Sequence, residues 1–190
     1  MSDIYDFYDR LLSIKEEDLE PVIIKIINEE VTKIKESSTN LDGLCRVIGI
    51  NIYENMKRKN INAVCLDLKE LINIDHLILL VKYHFQGENI TILVDPTFSQ
   101  FVKKDNLELI KYTSWPSERI FPQIKDGLLT KGCIKIDNET FNNYVNSFLE
   151  NKVDINLDEV FYDEKRKELD RHLWKGSIYD NIMVVNKNGN

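Results

Sequence analysis

Two strongly apolar segments, HLILLVKYHF (76–85) and ITILVDPTF (90–98), stand on either side of the short polar sequence QGEN (86–89). No other feature of the chain limits its fold as much. Each segment is rich in Ile, Leu, Val and aromatic residues and has the length of a strand. Gly87 supplies the turn chemistry between them. The pair predicts an antiparallel hairpin. Its strands are apolar on both faces over several residues, which places the hairpin in the centre of a sheet covered on both sides. INAVCLDL (61–68) adds a third predicted strand.

Helices must then cover that sheet. In EDLEPVIIKIINEEVTKIKE (17–36), Ile23, Ile26, Ile27, Val31 and Ile34 recur at helical spacing. Pro21 falls in the first turn, where its missing N–H costs nothing. SSTN (37–40) breaks this helix. Asp42 predicts the N-cap of a second one running to about Lys59, which puts Cys45 at about the third helical position. Its buried stripe would be Leu44, Ile48, Ile52 and Met56, with Val47 beside it.

Beyond the hairpin, NLELIKY (106–112) fits either a helix or a strand. SWPSERIFPQIKDGLLTKGC (114–133) is punctuated by Pro and Gly and reads as a packed irregular connection. IKI (134–136) reads as a short strand. DNETFNNYVNSFLE (137–150) reads as a helix behind an imperfect capping box from Asp137 to Thr140. LDEVFYDEKRKELDRHLWKG (157–176) is another predicted helix, and the tail NKNGN should fray. The expected class is α+β with an antiparallel sheet. The 190 residues are expected to form a single domain. Within it lie an N-terminal helical segment (1–36), a core (38–101), and an irregular connection with C-terminal helices (102–190).

Composition removes several function classes. The formal net charge is −7, and the two KRK runs at 57–59 and 165–167 sit among acids, so no nucleic-acid partner is expected. The acidic start MSDIYDFYDRLLSIKEEDLE is unlike a targeting peptide, and no apolar run nears the ~18 residues of a membrane span. A cytoplasmic protein with no membrane partner is expected. Three cysteines, an odd number at no metal spacing, argue against a disulfide framework and a zinc site, and the three histidines lack ligand spacing. No Gly-rich phosphate loop is present.

The candidate chemistry lies in LDGLCRVIGINIYENMKRKN (41–60) and in the hairpin. A cysteine in the first turn of a helix meets unsatisfied N–H groups and the positive end of the dipole, which favour thiolate over thiol. The backbone N–H of Cys45 would be free to bind an oxyanion. Gly43 would let a substrate approach, whereas the Asp42 carboxylate would oppose the thiolate. The alternative is a small buried apolar residue. His76 opens an apolar strand after Asp75, placed either to take a thiol proton or to pair with Asp75 in a loop. Asp95 ends the next strand before Pro96, placed either to hold a histidine through Nδ1–H or to cap its own turn. With Gly87 and Glu88 centring the hairpin, His76 and Asp95 share a face, but Leu80 stands opposite Asp95, about 13 Å from His76; a longer loop centred near Phe85–Gln86, or a bulge, would bring the two together. Asn40 or Gln100 could donate a second oxyanion bond. Cys65 reads as core and Cys133 has no acid–base partner in view. His84 and His172 read as exposed, and Trp115 and Trp174 as packing anchors.

GLC opening a helix, DHLILLV and ILVDPTFSQF together resemble the papain-like and transglutaminase-like thiol enzymes over residues 38–101. In those families the order Cys…His…Asp is fixed, the cysteine heads a helix, and the other two lie on neighbouring strands. Gaps of 31 and then 19 residues are closest to bacterial transglutaminase-like proteins and arylamine N-acetyltransferases. Some effector proteases and glutamine deamidases share the plan. LDG stands where the acetyltransferases carry RGG, and the papain-type CGSCW is absent. The resemblance implies a Cys45–His76–Asp95 triad, a thioester intermediate and no cofactor. The expected substrate is a peptide, protein or small acyl compound, with cysteine peptidase or deamidase chemistry ahead of transfer to an amine. A protein-binding module of the same fold with an inert cysteine is the competing expectation.

Overall fold

The computed structural model of the protein describes residues 18–36, 43–102 and 122–171. Helix α1 (Glu20–Lys35) has Pro21 in its first turn and buries Ile23, Ile26 and Ile27. Helix α2 (Cys45–Arg58) buries Ile48, Ile52 and Met56 completely. Burying each such side chain contributes roughly 1.5–3 kcal/mol. Val47, expected beside that stripe, is instead 51% exposed, because it points away from the sheet.

Four strands form one sheet among the described residues: β1 (Ala63–Asp67), β2 (Leu77–Phe85), β3 (Glu88–Val94) and β4 (Cys133–Ile136). The order is β1-β2-β3-β4 and every pairing is antiparallel, so the predicted hairpin occupies the two central positions. Phe85 pairs with Glu88, leaving Gln86 (φ 51°) and Gly87 (φ 86°) as the loop. Two left-handed residues match the twist of the strands they join.

The strands are apolar on both faces because both faces are covered. Leu79, Val81, Tyr83, Ile92 and Val94 pack against α1 and α2. Ile78, Leu80 and Leu93 face the other way, into a cluster containing Phe98, Phe101, Phe141, Tyr144 and Phe161. That second layer comprises α3 (Leu68–Ile72), a 3-10 turn (Phe98–Phe101), α4 (Pro122–Lys131), α5 (Asn138–Asn146) and the 157–171 helix, α6.

Two elements depart from the sequence reading. Residues 122–131 are helical, not irregular. Pro122 is the first residue of α4 and Gly132 (φ 70°) follows its last, so these residues mark the ends of a helix. Ile124 and Leu128, four apart, are its buried side. Helix α3 has no counterpart in the sequence reading. It is one short turn, capped by the Asp67 side chain, which accepts from the Lys69 N–H at 3.0 Å, and closed by left-handed Asn73. The Asp137 cap of α5 is present, with Oδ1 accepting from the Thr140 N–H at 2.7 Å. Residues 37–42, 106–112, Trp115, and the tail with His172 and Trp174 lie outside the described residues. Among the described residues no helix is long and apolar enough to cross a membrane.

Candidate active site

The hairpin turn decides whether His76 and Asp95 can meet. It is centred on Gln86 and Gly87, so Leu79 pairs with Val94. Continuing that register, Asp95 stands opposite Ile78 rather than Leu80. His76 is then two residues away instead of four, about 7 Å along the strand. The two still share a face, as their parity requires. Both sit just beyond the strand ends, where the backbone is free to bend. The His76 N–H donates to Ile74 O at 2.8 Å, and the Asp95 N–H donates to Gly132 O at 2.8 Å.

The side chains close the remaining gap. His76 Nε2 lies 2.9 Å from Asp95 Oδ2, and neither side chain reaches solvent. The sequence reading has Asp95 holding Nδ1–H, but the contact uses Nε2, because the ring turns Nδ1 toward α2. Asp95 is also its own turn's anchor: the Thr97 hydroxyl donates to Oδ1 at 3.2 Å. A third donor comes from α5, where the Tyr144 hydroxyl lies 2.8 Å from Oδ2. Phe101 stands edge-on to the His76 ring at 4.7 Å between centroids and fixes its plane.

Cys45 arrives from the other side of the sheet. It is the first residue of α2 rather than the third, since Leu44 occupies the N-cap, and Asp42 and Asn40 lie outside the described residues. No side chain caps this end and its first turn carries no acid. The first-turn N–H groups, which have no intrahelical acceptor in any helix, are therefore not taken up by a side-chain cap. Cys45 is buried, and its thiol hydrogen-bonds to His76. Backbone N–H groups of Leu77 and Arg46 also point at the sulfur. Burial pushes the Cys45 thiol up, but the bonds from His76 and these N–H groups outweigh it and hold it below the ordinary thiol value. Burial likewise pushes the His76 imidazole down. The charge and hydrogen bond of Asp95, with the Cys45 contact, more than reverse this and raise it to about 9. Burial and Asp95 drive the Tyr144 phenol far up, so it stays a neutral donor. Cys65 and Cys133 show the contrast: without an acid–base partner, burial pushes each up to about 12.

Gln100 and Gly43 complete the cluster. Gly43 (φ 74°) donates its N–H to Gln100 Oε1 at 3.3 Å, and Gln100 Nε2 lies 3.3 Å from His76 Nδ1. Asp75 does not pair with His76. It accepts from Arg46 Nη2 at 2.9 Å, and the same guanidinium holds Asp67 through Nη1 at 2.9 Å. Arg46 thus ties the start of α2 to the end of β1 and to the residue before His76.

Of the residues singled out in the sequence, Cys45, His76, Asp95, Gly43 and Gln100 gather in one place. His84 is exposed at the hairpin end, against Asn89. Sequence reasoning missed Tyr144, Thr97, Arg46 and Phe101. Thr97 and Phe101 sit within the DPTFSQF stretch, and Arg46 follows the cysteine. For Tyr144 the only signal is its apolar position in a helix. Among the described residues no three His, Cys, Asp or Glu side chains gather as a metal site. No protein-family model matches the chain, and comparison with curated proteins and with solved structures finds no significant match.

Proposed function

We propose that the protein is a thiol enzyme of acyl transfer, built on a papain-like or transglutaminase-like plan. The observation that carries this reading is His76, held at Nε2 by the buried Asp95 carboxylate while its other edge meets the Cys45 thiol. A core cysteine needs no such partner, as Cys133 illustrates.

The chemistry follows from these groups. The Cys45 proton moves from Sγ to His76 Nδ1, and Asp95 stabilises the imidazolium that results. The sulfur attacks a carbonyl carbon. The oxyanion forms at the start of α2, where the Cys45 backbone N–H can donate to it. The carbon–nitrogen bond then breaks, and the departing amine takes the proton from His76. A thioester remains. Water resolves it in a peptidase or deamidase, and an amine resolves it in a transferase. Hydrolysis of a peptide or side-chain amide is the preferred form, because nothing in the sequence resembles a pantetheine-binding donor site. The steps themselves use no cofactor.

The test is the pH dependence of Cys45 alkylation by iodoacetamide, mapped by mass spectrometry, in the wild type and in His76→Ala. Selective reaction of Cys45 with an apparent pKa well below ~8.5, raised by the substitution, is expected. Reaction no faster than an ordinary thiol would return Cys45 to the core and leave a binding protein.

A further inference from the structure

Among the described residues Gln100 makes three side-chain hydrogen-bond contacts, and together they determine how its amide is turned. The Gly43 N–H points at Oε1 from 3.3 Å, and an N–H can be met only by an acceptor. The Thr97 hydroxyl proton is committed to Asp95 Oδ1, so the Thr97 oxygen is free to accept, and Gln100 Nε2 lies 3.4 Å from it. Both neighbours therefore set the NH2 group on the side that faces His76 Nδ1, 3.3 Å away. At that distance Nδ1 must be the acceptor. Its ring partner Nε2 carries the proton shared with Asp95.

An imidazole nitrogen has a single lone pair in the ring plane. Here two donors compete for it: the Gln100 amide and the Cys45 thiol. Once the thiol proton sits on Nδ1, that nitrogen becomes a donor, and the Gln100 NH2 faces another N–H. Rotating the amide by half a turn does not relieve this without setting its NH2 against the Gly43 N–H. The contact is compatible with neutral His76 and opposes the imidazolium. The groups facing the ring are Cys45 from α2, Asp95 beyond β3, and Tyr144 of α5 acting through Asp95. Asp75 beside it is held by Arg46. Burial disfavours a proton on the ring, Asp95 and Cys45 draw it on, and the Gln100 NH2 adds to the opposition at Nδ1.

We infer that Gln100 is a positioning residue that weakens the thiolate–imidazolium pair while its NH2 faces Nδ1, and that it turns off His76 before Cys45 attacks. This rests on the thiol-enzyme reading above. A substrate that reaches the start of α2 and takes over the Gly43 N–H would free Oε1. The amide could then swing off Nδ1 as the proton arrives. The ion pair would be stronger when substrate is present than when it is not.

The experiment is iodoacetamide alkylation of the full chain at pH 6–7, with mapping to Cys45, in the wild type, Gln100→Met and Gln100→Glu. Each is also made with His76→Ala, and His76 titration is followed by imidazole NMR. Methionine keeps the length and removes the donor. Glutamate keeps an acceptor for Gly43 and presents another to Nδ1. One neutral hydrogen bond lost from the imidazole form corresponds to roughly a three- to tenfold gain in Cys45 reactivity in Gln100→Met. The His76 titration should move upward in both Gln100 variants. If wild-type reactivity depends on His76 but Gln100→Met reacts no faster and neither variant moves the titration, the role given to Gln100 is wrong and the thiol-enzyme reading stands. If His76→Ala changes Cys45 reactivity in none of the backgrounds, that reading fails and the role of Gln100 falls with it.

Discussion

Tyr144 and His76 donate to the same carboxylate oxygen: the phenol lies 2.8 Å, and the imidazole Nε2 2.9 Å, from Asp95 Oδ2. One comes from α5 in the second half of the chain and the other from the mouth of β2. The shared oxygen makes the charge that His76 meets depend on a helix about 70 residues away in sequence. Tyr144→Phe removes a donor and little volume. We expect a stability loss of about 1 kcal/mol in urea unfolding. More negative charge would then rest on the oxygen facing Nε2, so the His76 titration should move upward, opposite to the effect of removing Asp95. A His76 titration that stays in place would show that Tyr144 is packing alone.

Asp95 has the opposite dependence. It is fully buried and receives His76, Tyr144 and Thr97. Asp95→Ala leaves those donors without an acceptor, with an expected cost of about 3–5 kcal/mol. Asp95→Asn keeps the shape but removes the charge that raises His76. In that variant the Cys45 thiol should behave as an ordinary one, its alkylation at pH 7 falling at least about tenfold. A variant that unfolds no more easily than wild type and alkylates normally would dissociate Asp95 from the site.

How much of this could be read from the chain alone differs by residue. The central hairpin was legible because its strands are apolar on both faces, and that pattern has few other solutions. The approach of His76 to Asp95 was not, because a turn one residue earlier shifts the register by two, and QGEN accommodates either turn. Helix α4 was obscured because Pro122 and Gly132 break a helix in its interior yet delimit one at its ends. Gln100 could be named from its nearness to Asp95. That it faces Nδ1 depends on Gly43 and Thr97, which only the fold brings together. Tyr144 was hidden for a similar reason: a helix's apolar stripe says which residues are buried, and not what a hydroxyl on that stripe will meet.

Stability should carry the signature of His76. Its folded pKa is raised, so the stabilisation is complete below the unfolded value of ~6.5 and is lost as pH rises through the folded value of about 9. The lowered thiol contributes to stability with the opposite dependence on pH, and Cys45→Ala removes that contribution. In that background, the difference in urea stability between His76 and His76→Gln should be largest at pH 6 and shrink steadily toward pH 9. The loss should begin at lower pH than in wild type, because Cys45 contributes to the upward shift of His76. A difference that does not change between pH 6 and 9 would mean that His76 gains no proton affinity on folding.

Arg46 offers a way to separate placement from stability. Its guanidinium is partly exposed, bridging Asp67 and Asp75. Exposed pairs of this kind contribute less than about 1 kcal/mol each. Yet this one joins the residue after Cys45 to the residue before His76, and so sets the distance between thiol and base. Arg46→Ala should therefore shift the urea midpoint only slightly while lowering Cys45 alkylation at pH 7 several-fold. Arg46→Lys can reach one carboxylate but not both in the same fork geometry, and should recover only part of the rate. Equal losses of stability and reactivity would make Arg46 a support of the fold at large. Intact reactivity in Arg46→Ala would mean that the thiol and imidazole are held together without it.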